Sequence, residues 1–154
     1  MDKFDVVIVG GGPAGGQCAR SLAKAGCRVL LVERHKTFAV NCFSSAGVPL
    51  EALQQYDLPD RVVGAYWRDF VVVTSTQKGV WSGPDPRGAV LDFGQLREFL
   101  ATETRSQGGT VWMGWRYASH QETTTGAIVT LKQGSEQRQV ETRVLVDATG
   151  PSRA

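Results

Sequence analysis

Residues Asp5 to Arg34 read DVVIVGGGPAGGQCARSLAKAGCRVLLVER, and no other stretch of the chain leaves so few folding options. An apolar run from Val6 to Val9 meets Gly10, Gly12 and Gly15, which open a helix-like segment that closes at Gly26; a second apolar run ends on Glu33. Strand, glycine turn, helix, strand and acidic terminus follow without interruption, which predicts a βαβ unit with parallel strands. Gly10 permits the tight turn, Gly12 lets the backbone approach a pyrophosphate, and Gly15 lets the helix pack on the strands. Gly15 and Gly16 each cost roughly 1 kcal/mol relative to Ala inside a helix, so close approach explains them better than propensity.

The same unit predicts a ligand, the ADP half of a dinucleotide. Amides freed at the helix start face an anion, which makes Gly10, Gly12 and Gly15 the candidate pyrophosphate residues, with Pro13 and Ala14 beside them as candidate cofactor contacts. Glu33 is placed to accept hydrogen bonds from both adenosine ribose hydroxyls, and its charge opposes a 2′-phosphate, which argues against NADP in this pocket. On the helix, Ala19, Leu22 and Ala23 recur with Ala14, Cys18 and Ala25 as a narrow face for the sheet, with Arg20 and Lys24 expected on the wet side.

The 154 residues, 42% hydrophobic and 21% charged, suit one globular domain, and a net charge of +2 with scattered Lys and Arg argues against a nucleic-acid partner. No stretch approaches the roughly 18 apolar residues needed to span a bilayer, and the start MDKFDVV does not read as a signal peptide. Cys18, Cys27 and Cys42 lack metal or CxxC spacing; reduced thiols in a cytoplasmic protein are expected, with Cys18 and Cys27 in the core. No metal site is expected.

After the fingerprint at 5–34, an excursion at 35–88 replaces the prompt next crossover of a plain NAD-binding domain. A loop around Cys42 to Gly47 leads to a short helix from Pro49 that ends before Leu58. AYWRDFVVVTS and GVWS read as two strands whose Trp67, Phe70 and Trp81 pack together; the tryptophans Trp67, Trp81, Trp112 and Trp115 are expected in the core. Residues 89–141 predict a short extended piece, a helix over Gln95 to Gln107 ended by Gly108-Gly109, and a three-stranded antiparallel meander formed by TVWMGWRYASHQE, AIVTLKQ and QRQVE. The segment 142–153 contains Val144 to Val146, a short buried strand, and the small-residue turn Asp147-Ala148-Thr149-Gly150.

GGGPAG at residues 10–15, Glu33-Arg34 and VDATG at residues 146–150 together resemble the two-dinucleotide-binding-domain flavoproteins, most closely the geranylgeranyl reductase branch of FAD-dependent oxidoreductases, with aromatic hydroxylases and flavin halogenases as neighbours. The resemblance implies an α/β fold: a Rossmann-like FAD-binding unit with a parallel sheet plus an antiparallel meander. It further implies FAD, with Gly10, Gly12 and Gly15 at the pyrophosphate, Glu33 followed by Arg34 at the adenosine ribose, the Tyr117 backbone near adenine, and Ala148, Thr149 and Gly150 lining the cofactor. Relatives carry a Cys-Gly segment where this chain has Cys42-Phe43, so a buried thiol without a redox role is expected at Cys42. They also place an Arg after the Asp of LDFGQLREFL; Phe93 stands there, with Gln95 or Arg97 as substitutes.

The family's third FAD sequence and its substrate domain are not among these residues, and the chain is expected to be the N-terminal portion of such a protein. Three readings follow. The first is an FAD-dependent oxidoreductase reduced transiently by NAD(P)H and acting on a small, hydrophobic substrate, isoprenoid in that branch. The second is a nucleotide-binding fragment without turnover, and the third an NAD-dependent dehydrogenase. No catalytic side chain is named: His35 and His120 read as surface residues and Asp147 as a strand-end carboxylate. Peripheral membrane contact and oligomeric state stay open.

Overall fold

The computed structural model describes residues 1–43 and 46–152; Ser44 and Ser45 of the expected Cys42 to Gly47 loop, and Arg153 and Ala154 at the end, lie outside the described residues. The elements begin with β1 (Asp2–Val9), α1 (Pro13–Lys24) and β2 (Val29–Glu33). Next come β3 (Gly47–Pro49), α2 (Leu50–Gln55), a 3-10 turn (Asp60–Val62), β4 (Val63–Trp67), β5 (Phe70–Val73), β6 (Lys78–Trp81) and β7 (Gly88–Leu91). The chain continues with α3 (Phe93–Ser106), β8 (Thr110–Met113), β9 (Arg116–Thr123), β10 (Gly126–Gln133), β11 (Glu136–Asp147) and a 3-10 turn (Gly150–Ser152). Two compact units result, one of residues 1–40 with 97–154 and one of residues 41–96.

The first unit is built on a six-stranded sheet in the order β8-β2-β1-β11-β10-β9. β1 runs parallel to both β2 and β11, and β2 parallel to β8, whereas β9, β10 and β11 pair antiparallel. Strand residues alternate between faces, so Val7, Val9, Leu30 and Val32 join Trp115, Val129, Leu131 and Val140 in one cluster. Val6, Ile8, Val29 and Leu31 form the other cluster with Ala19 of α1. Burial on both faces is why these strands read as unbroken apolar runs.

Long-range pairing alters several local expectations. TVWM does not belong to the meander: Gly114, at φ +79°, breaks the run, and β8 joins the parallel part of the sheet beside β2. The meander's last strand and the predicted Val144 to Val146 strand are one 12-residue strand, β11, pairing with β10 through its first part and with β1 through its second. Val144 is 51% exposed rather than buried. Arg20 is buried rather than wet, because Phe99 of α3 lies against it with its ring 5.1 Å from the guanidinium carbon. Cys18 and Cys27 pack against the second core cluster as partly buried side chains.

In the second unit, β7 lies between β3 and β4 in an antiparallel sheet, and β5 and β6 form a separate hairpin. The expected strand AYWRDFVVVTS is broken at Arg68-Asp69, since β4 pairs with β7 and β5 with β6. Phe70 packs between Trp67 and Trp81 at centroid distances of 6.4 and 6.0 Å, yet Phe70 and Trp81 are exposed, so this aromatic group is not a core. Cys42 is exposed, contrary to the buried thiol expected there. Among the described residues no helix is long and apolar enough to cross a membrane.

Candidate functional site

β1, β2 and β11 run parallel, so their carboxyl ends, Val9, Glu33 and Asp147, come out on one edge of the sheet. The chain leaves β1 toward β2 on one side and returns as β11 on the other, which makes β1 the place where strand order reverses. In open α/β sheets ligands bind outside the carboxyl ends at such a point. The turn after β1 and the turn after β11 meet there. The Ala148 amide donates to the Val9 carbonyl at 2.8 Å, and a side chain on Gly10, at φ +109°, would collide with the Ala148 carbonyl. Asp147 Oδ1 holds the second turn by accepting from the Thr149 amide at 2.9 Å and the Thr149 hydroxyl at 2.6 Å.

The glycines of α1 differ in their surroundings. A β-carbon at Gly15 would strike the Gly10 carbonyl, and one at Gly16 would come within 2.9 Å of Leu100 Cβ. Among the described residues, a β-carbon at Gly12 would meet nothing within 4 Å. Gly12 caps α1 with extended backbone and no side-chain cap, and Pro13 occupies the first turn. The early amides, Ala14 and Gly15 among them, have no intrahelical acceptor, an arrangement suited to a phosphate.

Glu33 is 5% exposed, and its oxygens are directed by backbone donors: Gly11 N–H to Oε2 and His35 N–H to Oε1, both at 2.9 Å. Arg97 of α3, 6% exposed, lies beside it with Nη2 3.6 Å from Oε2. Arg97 Nε donates to the Gly11 carbonyl and Nη1 to the Val40 carbonyl, each at 3.1 Å, while the Phe38 ring lies 4.8 Å from the guanidinium carbon. A carboxylate offers about four lone-pair positions, so Glu33 keeps acceptor capacity beyond these contacts.

The structure thus brings Gly10, Gly12, Pro13, Ala14, Gly15, Glu33, Ala148, Thr149 and Gly150 to one edge. Arg34 is exposed, with Nε donating to His35 Nε2 at 3.3 Å. Tyr117 lies on β9, its ring against the first core cluster and its hydroxyl 2.7 Å from His120 Nδ1. Two residues earlier, the Trp115 amide donates to the Glu33 carbonyl at 3.0 Å, which ties the start of β9 to the acidic end of β2. Of the two substitutes considered for Phe93, Arg97 reaches the glycine turn, whereas Gln95 donates its backbone N–H to Asp92 Oδ1 at 2.9 Å at the start of α3.

Sequence reasoning missed Gly11 and Phe38. Gly11 leaves room for Glu33 Oε2 and Phe38 Cε1, 2.9 and 3.0 Å from where its β-carbon would be. The unbroken Gly10-Gly11-Gly12 run carried that signal. An arginine among Leu96, Phe99 and Leu100 on a helical apolar face likewise pointed to a buried partner for Arg97.

The sheet, its reversal point and the paired turns define a Rossmann-like fold whose strand ends suit a nucleotide cofactor. The chain belongs to the FAD dependent oxidoreductase family, which it matches over residues 5–153. It is 32% identical over 154 residues to the digeranylgeranylglycerophospholipid reductase of Haloferax volcanii, covering 98% of this chain and 36% of that protein. It is 29% identical over 163 residues to the chloroplastic geranylgeranyl diphosphate reductase of Oryza sativa subsp. japonica, covering 96% of this chain and 35% of the relative. A solved geranylgeranyl bacteriochlorophyll reductase-like protein from Thermoplasma acidophilum shares the fold at TM-score 0.87 and 20% identity, over 97% of this chain and 40% of that one. The chain therefore spans about a third of the length of these two curated relatives.

The residues present fit the ADP end of the family's cofactor. The open side of Gly12 leaves space for a pyrophosphate, the α1 amides supply donors, and Glu33 supplies a buried carboxylate.

Proposed function

We propose that this chain is the cofactor-holding part of an FAD-dependent oxidoreductase of the geranylgeranyl reductase type. The observation that carries the reading is the contrast among its glycines: Gly10 and Gly15 are filled by neighbouring backbone, while Gly12 alone of the three faces open space beside uncapped helix amides. FAD supplies hydride-transfer chemistry when bound, and the protein supplies position and electrostatics. In this reading the amides of Ala14 and Gly15 bind the pyrophosphate, Glu33 accepts from the adenosine ribose, and the Tyr117 backbone lies near adenine. The Ala148 to Gly150 turn lines the cofactor beyond Gly10. Arg34 lies at the outer margin of the ribose end.

Reduction of an apolar double bond is the reaction, with reduced nicotinamide as the electron source and an isoprenoid chain as the substrate class. A cytoplasmic setting goes with the three thiols. The segment divisions at 5–34, 35–88, 89–141 and 142–153 serve as one cofactor domain in this proposal.

A second reading, binding without turnover, is favoured by one observation: the buried polar groups gathered here, Gly11, Glu33 and Arg97, all lie at the ADP end. One experiment addresses both readings. Purified protein is reconstituted with FAD, freed of excess cofactor, and scanned for flavin absorbance; reduced nicotinamide is then added under anaerobic conditions. Retained flavin supports the site, and bleaching of its colour supports turnover. Protein that stays colourless while binding NAD overturns the FAD assignment.

A further inference from the structure

The groups around Gly11 close on themselves. Its N–H donates to Glu33 Oε2 at 2.9 Å, its carbonyl accepts from Arg97 Nε at 3.1 Å, and Arg97 Nη2 stands 3.6 Å from that same Oε2. One residue of the cofactor turn is thus held at both of its polar groups by a single ion pair. The pair joins separate parts of the chain, since Glu33 ends β2 and Arg97 comes from α3. Val40 and Phe38 complete the seat of the guanidinium, one by a carbonyl at 3.1 Å and the other by its ring at 4.8 Å.

Two physical consequences follow. A buried carboxylate is held in one geometry by a countercharge and hydrogen-bond donors, and Arg97 stands beside Glu33 as that countercharge. A guanidinium also donates in fixed, divergent directions, so it can hold the Gly11 and Val40 carbonyls while facing the carboxylate; the ammonium of lysine, a point charge on a flexible stem, has no such fork.

We propose that Arg97 is a positioning residue for the cofactor site, acting through Glu33 and the Gly11 peptide rather than by touching the nucleotide. It fixes the position of the Glu33 carboxylate, leaves that group's remaining lone pairs for the ribose, and sets the Gly11 peptide so that the following turn meets the pyrophosphate. The proposal rests on the FAD reading above.

The test uses the 154-residue chain with R97K, R97M and the double variant E33Q/R97M. Three quantities are measured: the FAD dissociation constant from flavin fluorescence, the unfolding midpoint, and hydrogen exchange of the Gly11 amide by NMR without FAD. R97K keeps the charge and R97M the approximate shape, so one remains informative if the other fails to fold. Each is expected to weaken FAD binding about tenfold or more, the affinity equivalent of one charge-assisted hydrogen bond. The double variant should bind no more weakly than R97M, because both changes break one linked unit. Gly11 amide exchange should quicken in R97K.

Unchanged FAD affinity with a lowered unfolding midpoint would make Arg97 merely structural. Additive losses in the double variant would mean that Arg97 acts on the nucleotide independently of Glu33. Either result overturns the proposal. Wild-type protein that fails to bind FAD sinks the functional reading instead, and the Gly11 exchange comparison still judges the ion pair: equal rates in wild type and R97K overturn it.

Discussion

Gly10 lies directly against the backbone of Ala148: a β-carbon at Gly10 would run into the Ala148 carbonyl and stand 2.9 Å from the Thr149 amide nitrogen. The first glycine of the opening fingerprint and the turn after the last strand are therefore one object, held by the parallel pairing of β1 and β11. In the proposed FAD reading the two turns present a single surface to the cofactor, and substitutions at their glycines should separate folding from binding.

Gly12→Ala and Gly15→Ala are expected to differ in kind. Gly12 has extended backbone and open space around its missing side chain, so Ala there should cost less than about 1 kcal/mol of stability. Its methyl would enter the pyrophosphate space and weaken FAD binding by about tenfold or more. Gly15→Ala forces its methyl against the Gly10 carbonyl and should cost about 1–3 kcal/mol of stability. Thermal unfolding paired with FAD titration separates the two; Gly12→Ala with unchanged affinity would place the cofactor elsewhere.

Glu33→Gln should destabilise the fold as well as the site. The change leaves the Arg97 guanidinium buried without its countercharge, a loss of about 3–5 kcal/mol when one partner of a buried pair is removed. Glu33→Arg sets two cations together in the same seat and should prevent folding. Urea unfolding of Glu33→Gln decides the matter, and a loss below about 1 kcal/mol would remove the pair from the stability of the fold.

Leu31→Ala tests the sheet beneath α1. Leu31 is fully buried in the cluster that contains Ala19, and its truncation should cost about 2–5 kcal/mol with no direct effect on the cofactor turn. Denaturant melts check the magnitude, and a cost under about 1 kcal/mol would show a site free to collapse.

Acid stability should carry the mark of Asp5. The Arg28 side chain, hydrogen-bonding to Asp5, holds its carboxyl below the ordinary value of 3.8, and the Arg28 amide adds to the effect. A carboxyl lowered on folding stabilises the native state above the unfolded value and loses that contribution as pH falls below about 4. The pair is exposed, so the effect is modest and weakens with salt. Thermal melts of wild type and Asp5→Asn on descending pH should converge in acid; a constant gap between them would refute the coupling.

The βαβ fingerprint was legible because its instructions are local. Periodicity places β1, α1 and β2, and the glycine spacing needs only neighbours in the chain to be interpreted. Glu33 was legible for the same reason, being the acid at the end of the second run. The burial of Arg20 was not, and Arg97 was legible only as a candidate substitute beside Phe93. Each is an arginine on a helix that also has a solvent side, and only the packing of Phe99 on Arg20, and of Glu33, Gly11 and Phe38 on Arg97, turns them inward.

Strand partners escaped in the same way. TVWM and RYASHQE lie in one extended-looking stretch of sequence, but Gly114 lets the backbone turn between them, so β8 enters the parallel sheet and β9 the meander. The sequence by itself determined the first strand, turn and helix, the acid at Glu33 and the cofactor class they imply, since apolar period and glycine sterics act over a few residues. Only the tertiary structure decided that Ala148 closes on Gly10 and that Arg97 holds Glu33, because both depend on which distant strands and helices pack together, and pairing energies carry no mark in the local pattern.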